Sequence, residues 1–117
     1  MKFQQPNLFP YKKKKLTNPY IHKLNKLQLP IVTAVTVNEI TTNSNRIELL
    51  QKKYNPAIET MEGAALHYIA LDTKIPFLQI RSLSNYMGER DKTKWQLQKS
   101  IEQLNKILLK LLPKLAE

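Results

Sequence analysis

Three polar residues stand at or near the ends of short apolar runs. Glu62 follows Ile58-Glu59-Thr60-Met61, while Arg81 and Asn85 belong to Pro76-Phe77-Leu78-Gln79-Ile80-Arg81-Ser82-Leu83-Ser84-Asn85. A carboxylate accepts hydrogen bonds from polyol hydroxyls, and a primary amide both donates to and accepts from a heterocyclic base. In an open α/β sheet, small molecules bind outside the carboxyl ends of the strands. If both runs are parallel strands, Glu62 and Asn85 face one crevice. Each residue also has a plainer reading. Glu62 suits the first turn of a helix, where backbone amides satisfy a carboxylate. Arg81 within an apolar strand needs a counter-charge, and Glu59 or Glu62 could bridge to it. Asn85 could do no more than cap the loop that follows.

The elements that must position these residues read as alternating strands and helices. Ile31-Val32-Thr33-Ala34-Val35-Thr36-Val37 is β-branched and apolar on both faces, which predicts a central, covered strand. A polar loop follows over 38–43. Asn43 or Ser44 then caps a helix over 45–54, with Ile47, Leu50 and Tyr54 inward, and Asn55-Pro56 closes it. A short strand over 57–61 leads into a helix over 62–72, whose small Gly63-Ala64-Ala65 start permits a close approach. His67 lies on that helix and reads as a packing residue, since no second metal-type residue has matching spacing. Residues 76–84 predict another buried strand, and 86–91 a loop. The spacing predicts a helix over 93–112, with an apolar stripe of Trp95, Leu97, Ile101, Leu104, Ile107, Leu108, Leu111 and Leu112, ended by Pro113. The alternation predicts an α/β fold, a three-layer arrangement in which the three strands share one sheet flanked by the helices.

The first 30 residues are weakly patterned, with Pro6, Pro10, Pro19 and Pro30 interrupting any long helix. The Lys12–Lys15 run predicts a solvated loop. Tyr20 to Leu27 predicts a short helix with Ile21, Leu24 and Leu27 on one face. The organisation expected is an irregular basic segment over 1–19 and a partial domain over 20–117. The chain has 117 residues, a net charge of +10 and a pI near 9.9. The excess is mostly lysine spread along the chain, with Arg46, Arg81 and Arg90 the arginines. Nucleic-acid readers cluster arginine and aromatic residues on one face, so no nucleic-acid partner is expected. Polar residues interrupt every apolar run and residues 1–20 lack a signal-peptide core, so no membrane partner is expected. Cysteine is absent, which suits the cytoplasm and excludes disulfides and thiolate metal sites. No cofactor or metal is expected. No glycine precedes Gly63, so the first half cannot form a phosphate-cradling glycine loop.

Thr60-Met61-Glu62-Gly63-Ala64-Ala65 followed by the 76–85 block resembles the C-terminal half of the nucleoside phosphorylase/nucleosidase superfamily. The continuation Asn85-Tyr86-Met87-Gly88-Glu89-Arg90-Asp91-Lys92-Thr93-Lys94-Trp95 resembles its futalosine hydrolase branch, a relative of the methylthioadenosine/S-adenosylhomocysteine nucleosidases. The resemblance covers residues 20–112 and implies the C-terminal part of the three-layer phosphorylase/hydrolase-like fold, with a mixed sheet. It implies N-glycosidic hydrolysis of a purine nucleoside, futalosine, with release of hypoxanthine in an alternative menaquinone pathway.

By that resemblance Glu62 bridges the ribose 2′ and 3′ hydroxyls, Met61 lies against the sugar face, and Arg81 helps to hold the attacking water. Ser84 and Asn85 lie near the purine. Asn38 and Ile40, in the loop after the first strand, join Met61, Glu62, Ser84 and Asn85 as substrate-binding candidates; Glu62, Arg81 and Asn85 are the catalytic candidates. Methylthioadenosine-type nucleosidases carry Asp where this chain has Asn85. An amide can donate to O6 or N7 of a 6-oxopurine, whereas O6 would repel an ionised carboxylate. Family members begin with a β-rich half that supplies the water-activating acid, and no residues here match it. The expectation is a C-terminal fragment, inactive alone, partnered by a separate N-terminal half or by a second copy. A non-catalytic relic or interaction module of the same fold is the alternative.

Overall fold

A computed structural model describes residues 8–116 of the chain. Its centre is a parallel strand pair: β3 (Ala34–Thr36) beside β4 (Ile58–Thr60), in the register Ala34↔Ile58, Val35↔Glu59, Thr36↔Thr60. A short antiparallel hairpin, β1 (Tyr11–Lys12) and β2 (Lys15–Leu16), precedes it in the chain. Parallel strands need a crossover, and helix α2 (Ser44–Tyr54) supplies it. α2 starts where Asn43 Oδ1 accepts from the amides of Asn45 at 2.8 Å and Arg46 at 3.3 Å. It ends at Asn55, which takes the left-handed conformation (φ 44°) before Pro56. Helix α3 (Gly63–Asp72) follows β4 and packs on β3 and on β2. The mixed α/β reading therefore stands, as do the helices expected over 45–54 and 62–72.

The expected third strand does not form. Residues 76–84 run without secondary structure, and among the described residues no backbone–backbone hydrogen bond reaches 76–83. The segment is held by other bonds: the Phe77 carbonyl accepts from Asn18 Nδ2 at 2.8 Å, and the Gln79 and Arg81 side chains turn to the start of α3. β-branched and aromatic residues favour extended backbone, but a strand needs a neighbour to pair with. Among the described residues the strands thus form two separate two-stranded sheets, and not the single sheet expected. For the same reason the 31–37 run is no covered central strand. The ladder rungs are 34–36 alone, with flanking backbone bonds joining Thr33 and Val37 to the same neighbour, and Ile31 and Val32 are about half exposed.

The Lys12–Lys15 run is solvated, yet it is a hairpin and not a loop. Lys13 and Lys14 turn the chain with φ of 50° and 65°. Both central residues of such a turn sit at positive φ, where Asn-Gly is the usual signal, so the lysines gave no hint of it. The helix expected over 20–27 shortens to α1 (Ile21–Leu24). Asn25 stops it by pairing with both backbone groups of Leu29, at 2.8 and 2.9 Å. Tyr54 turns outward, with the Lys53 ammonium 5.1 Å from its ring. Pro6 lies outside the described residues.

Helix α4 (Leu97–Leu115) begins later and ends later than the spacing predicts. A 3₁₀ turn over Lys92–Lys94 precedes it, and Trp95 lies between the two with extended backbone. Pro113 sits inside the last turn and does not end the helix. Its ring removes the bond to the Leu109 carbonyl, and Leu109 is 74% exposed, so water can replace it. The apolar stripe is only half covered. Leu111 is buried and Leu104, Ile107 and Leu108 are half-buried, but Leu97, Ile101 and Leu112 are exposed. The buried apolar side chains among the described residues are Pro10, Val37, Leu71 and Leu111.

Candidate active site

β3 and β4 run parallel, so their carboxyl ends open on the same side. Asn38 and Ile40 follow β3, and Met61 and Glu62 follow β4. The 38–43 loop is tied to β4 by Glu59. Its Oε1 accepts from Thr41 Oγ1 at 2.8 Å and Thr41 N at 3.2 Å, and Thr41 is buried. Glu59 is thus committed to this loop, and Arg81 pairs with Glu62 instead.

The start of α3 is built by two threonines. Thr36 and Thr60 face each other on one rung, with their hydroxyl oxygens 3.1 Å apart. Gly63 N donates to Thr60 Oγ1 at 3.2 Å, and Ala64 N to Thr36 Oγ1 at 2.9 Å. Helix N-termini leave amides without intrahelical partners, and here the strand pair satisfies two of them. Gly63 lets this happen: a Cβ there would lie 2.7 Å from Thr60 Oγ1. Glu62 occupies the N-cap position but makes no capping bond with its side chain. Its Oε1 accepts from Arg81 Nη1. That guanidinium holds the Glu62 carboxyl below the ordinary carboxylate value against an opposing desolvation, and the Met61 and Glu62 amides add a lesser pull. Glu62 thus stands one residue ahead of the first turn in which it was expected, and its chief partner is Arg81 and not the helix amides.

Ser84 and Asn85 bond to each other and to the next residue. Ser84 Oγ donates to Asn85 Oδ1 at 2.6 Å, and Asn85 Nδ2 donates to the Tyr86 carbonyl at 3.0 Å. Each of those Asn85 atoms retains capacity for one more bond. No hydrogen bond joins this pair to Glu62 or Arg81 among the described residues. The loop beyond is anchored at three points. Arg90 Nη2 donates to Thr42 Oγ1 at 3.0 Å, Trp95 Nε1 to the Glu89 carbonyl at 3.0 Å, and Gln96 N to the Ser84 carbonyl at 2.6 Å. Arg90 thereby links the 86–91 loop to the loop after β3, and Trp95 serves as a loop tie and not as part of the α4 stripe.

The site is open. The Glu62 side chain is 63% exposed, and Asn38, Ile40, Met61 and Asn85 are exposed. Two shallow hollows of about 290 and 330 Å³ lie elsewhere, one at the start of α4 and one between His22 and Ile31. Neither is lined by Glu62, Arg81 or Asn85. Among the described residues no group of three His, Cys, Asp or Glu side chains could hold a metal ion. No helix among them is long and apolar enough to cross a membrane.

The family model of the phosphorylase superfamily matches residues 11–113, which include both strands, the threonine rung, Glu62, Arg81 and Asn85. The chain belongs to the phosphorylase superfamily. Among curated proteins, this superfamily chain is 31% identical over 82 residues to a futalosine hydrolase of Streptomyces coelicolor, and 27% identical over 86 residues to one of Thermus thermophilus. These alignments take in 69% and 74% of this chain. They span only 35% and 38% of the relatives' own lengths. No solved structure matches it. In this superfamily chain, sequence reasoning singled out Glu62 and Arg81, which the structure joins. It passed over Thr36, Thr60 and Gln79. The available signal was a hydroxyl residue near the carboxyl end of each of two strands, with glycine opening the helix after the second.

Proposed function

We propose that this chain is the C-terminal part of a nucleosidase acting on a 6-oxopurine nucleoside of the futalosine type, with hypoxanthine as the released base. The observation that carries the reading is the Glu62–Arg81 pair at the carboxyl end of β4, inside the region matched by the family. The two futalosine hydrolase relatives support the substrate class; a place in menaquinone biosynthesis, in the cytoplasm, is part of this proposal and rests on the motif resemblance over residues 60–95. In the reaction the C1′–N9 bond breaks, its electron pair leaves with the base, and water adds to C1′. One water proton ends on the base. Glu62 binds the ribose 2′ and 3′ hydroxyls, and its charge stabilises the oxocarbenium-like centre as it develops. Arg81 holds the water, Met61 covers the sugar, and Asn38 and Ile40 complete that wall. Ser84 and Asn85 bind the purine, with Asn85 donating toward O6 or N7, which makes the base a better leaving group.

The openness of the site bears on activity. A carboxylate surrounded by water stabilises a cation far less than one in a closed, low-dielectric site. Closing this site requires walls beyond the described residues, supplied by a separate N-terminal half or by a second copy. A missing proton-transfer group alone typically costs about 10²–10⁴-fold in rate. The 117-residue chain alone should therefore release no hypoxanthine from futalosine at an enzyme-like rate, and adding the N-terminal part of a futalosine hydrolase should restore release. Robust turnover by the chain alone would refute the need for a partner. Folded mixtures inactive on futalosine would refute the catalytic reading.

One observation favours a second reading, a non-catalytic interaction module. Leu66 and Ile69 on α3, and Leu97, Ile101, Leu109 and Leu112 on α4, are all more than half exposed. Such faces mark contact surfaces. A module of this kind would associate with its partner equally well after Glu62→Gln.

A further inference from the structure

Gln79 lies between two groups that Glu62 depends on. Its Nε2 donates to the Gly63 carbonyl at 2.9 Å, in the first turn of α3. Its Oε1 accepts from Arg81 Nη2 at 3.1 Å. The other guanidinium nitrogen, Nη1, donates to Glu62 Oε1. Gln79 is half-buried, and its acceptor lies against the space that a Cβ on Gly63 would enter, 3.3 Å away. The chain of contacts runs from the α3 backbone through one amide to the guanidinium and then to the carboxylate.

This geometry decides how the ion pair is made. Arginine and a carboxylate ordinarily meet fork to fork, with both oxygens occupied. Here Nη2 is drawn to Gln79, so the guanidinium reaches Glu62 through one nitrogen on one oxygen. The second carboxylate oxygen, Oε2, is not held by the guanidinium. A carboxylate that must bridge a diol needs that oxygen.

We propose that Gln79 is a positioning residue of the nucleoside site, fixing Arg81 to the α3 backbone so that the guanidinium engages one oxygen of Glu62 and leaves the other for a ribose diol. The proposal rests on the nucleosidase reading for the diol alone; the holding of Arg81 stands independently. An amide suits the position because it donates at one end and accepts at the other. Methionine has similar length and shape and can do neither.

The experiment is a carbon-detected NMR titration of the Glu62 side-chain carboxyl in the full chain, compared in wild type, Gln79→Met and Arg81→Met. In wild type the midpoint should lie below the ordinary 4.5. In Gln79→Met it should move up toward that value, in the direction of Arg81→Met, with the amide spectrum of α3 and β4 retained. A folded Gln79→Met with the wild-type midpoint would overturn the proposal. If Gln79→Met does not fold, the wild-type guanidinium decides. Held as proposed, Arg81 shows separate Nη1 and Nη2 signals with proton contacts to the Gln79 amide, and a single averaged signal without such contacts overturns it. Inosine, added to the chain completed with the N-terminal part of a futalosine hydrolase, serves as the probe of the diol. Perturbation of Glu62 by inosine in wild type, weakened in Gln79→Met, is the expected result. Perturbation that is undiminished in Gln79→Met overturns the diol role. No perturbation in wild type, with the midpoint shift intact, defeats the nucleosidase reading of this chain and with it the diol role, and leaves the holding of Arg81 standing.

Discussion

The hydroxyls of Thr36 and Thr60 lie 3.1 Å apart on one rung of the parallel pair, and each also accepts an amide from the first turn of α3. The helix is therefore capped by the strands it leaves and crosses, and the side chain at its own N-cap position, Glu62, is free for Arg81. Thr36→Val and Thr60→Val keep the shape and remove these acceptors. Each should cost about 1 kcal/mol, the usual loss for a helix cap. The two losses should not add, because the hydroxyls share one network. The coupling expected from a denaturant cycle is about 0.5 kcal/mol or more. Additive losses would show that the hydroxyls act separately.

Gly63→Ala tests the same arrangement from the other side. Alanine within a helix is ordinarily favoured over glycine by about 0.5–1 kcal/mol. At this position the new Cβ meets Thr60 Oγ1 at 2.7 Å. Crowding of this kind typically costs about 1–3 kcal/mol, so Gly63→Ala should destabilise. In a Thr60→Ala background the closest contact is gone and only Gln79 Oε1, at 3.3 Å, remains tight, so the same substitution should cost less or become neutral. Thermal melts of the four proteins read the sign.

Acid should weaken the fold in two steps. Burial lowers the His67 pKa below 6.5, with a partial opposing effect of the Thr17 backbone. Its ring stands edge-on to Phe77 at 4.8 Å, and its Nε2 is buried with no hydrogen-bond partner among the described residues. A folded pKa below the unfolded one means that the unfolded state binds the proton first, so stability falls as pH drops below 6.5 and levels off beneath the folded value. Glu62 has the same sign. Its contribution is present above 4.5 and is lost as pH falls through its lowered folded value. Because the Glu62 side chain is largely exposed, screening keeps this second step small. His67→Phe should flatten the first step and leave the second. An unchanged profile of unfolding midpoint against pH would reject the assignment to His67.

In a completed enzyme, Glu62 and Asn85 should fail differently. Glu62→Gln keeps the shape but weakens the acceptor and removes the charge, so kcat and kcat/KM should fall together, as for an interaction that strengthens in the transition state. Asn85→Asp removes a donor suited to a 6-oxopurine and creates a group suited to a 6-aminopurine. It should shift the ratio of hypoxanthine to adenine nucleoside cleavage, since a mismatched buried polar group goes unpaired. Asn85 already bonds Ser84 and Tyr86 within its loop. If capping is its whole role, Asn85→Asp will alter stability and leave that ratio unchanged.

What the sequence by itself determined is local. The Asn43 cap, the Asn55-Pro56 stop, the helices over 44–54 and 63–72, and the placing of Glu62 at the opening of α3 all follow from interactions within a few residues of the chain. The superfamily motifs were legible for the same reason, being short contiguous runs. Pairing was not legible. Residues 31–37 and 76–84 carry the composition of covered strands, yet only 33–37 gained a backbone partner, and on one side, because a ladder depends on what lies alongside. The lysine hairpin took a turn its residues do not favour, and Pro113 stayed helical where solvent could take the Leu109 carbonyl. Tertiary structure alone decided that Arg81 chose Glu62 over Glu59, since Thr41 had already claimed Glu59 from across the loop. It alone brought the Thr36 hydroxyl, 28 positions away, to the Ala64 amide. Such choices depend on which distant polar groups meet once the strands are side by side, and no spacing along the chain encodes them.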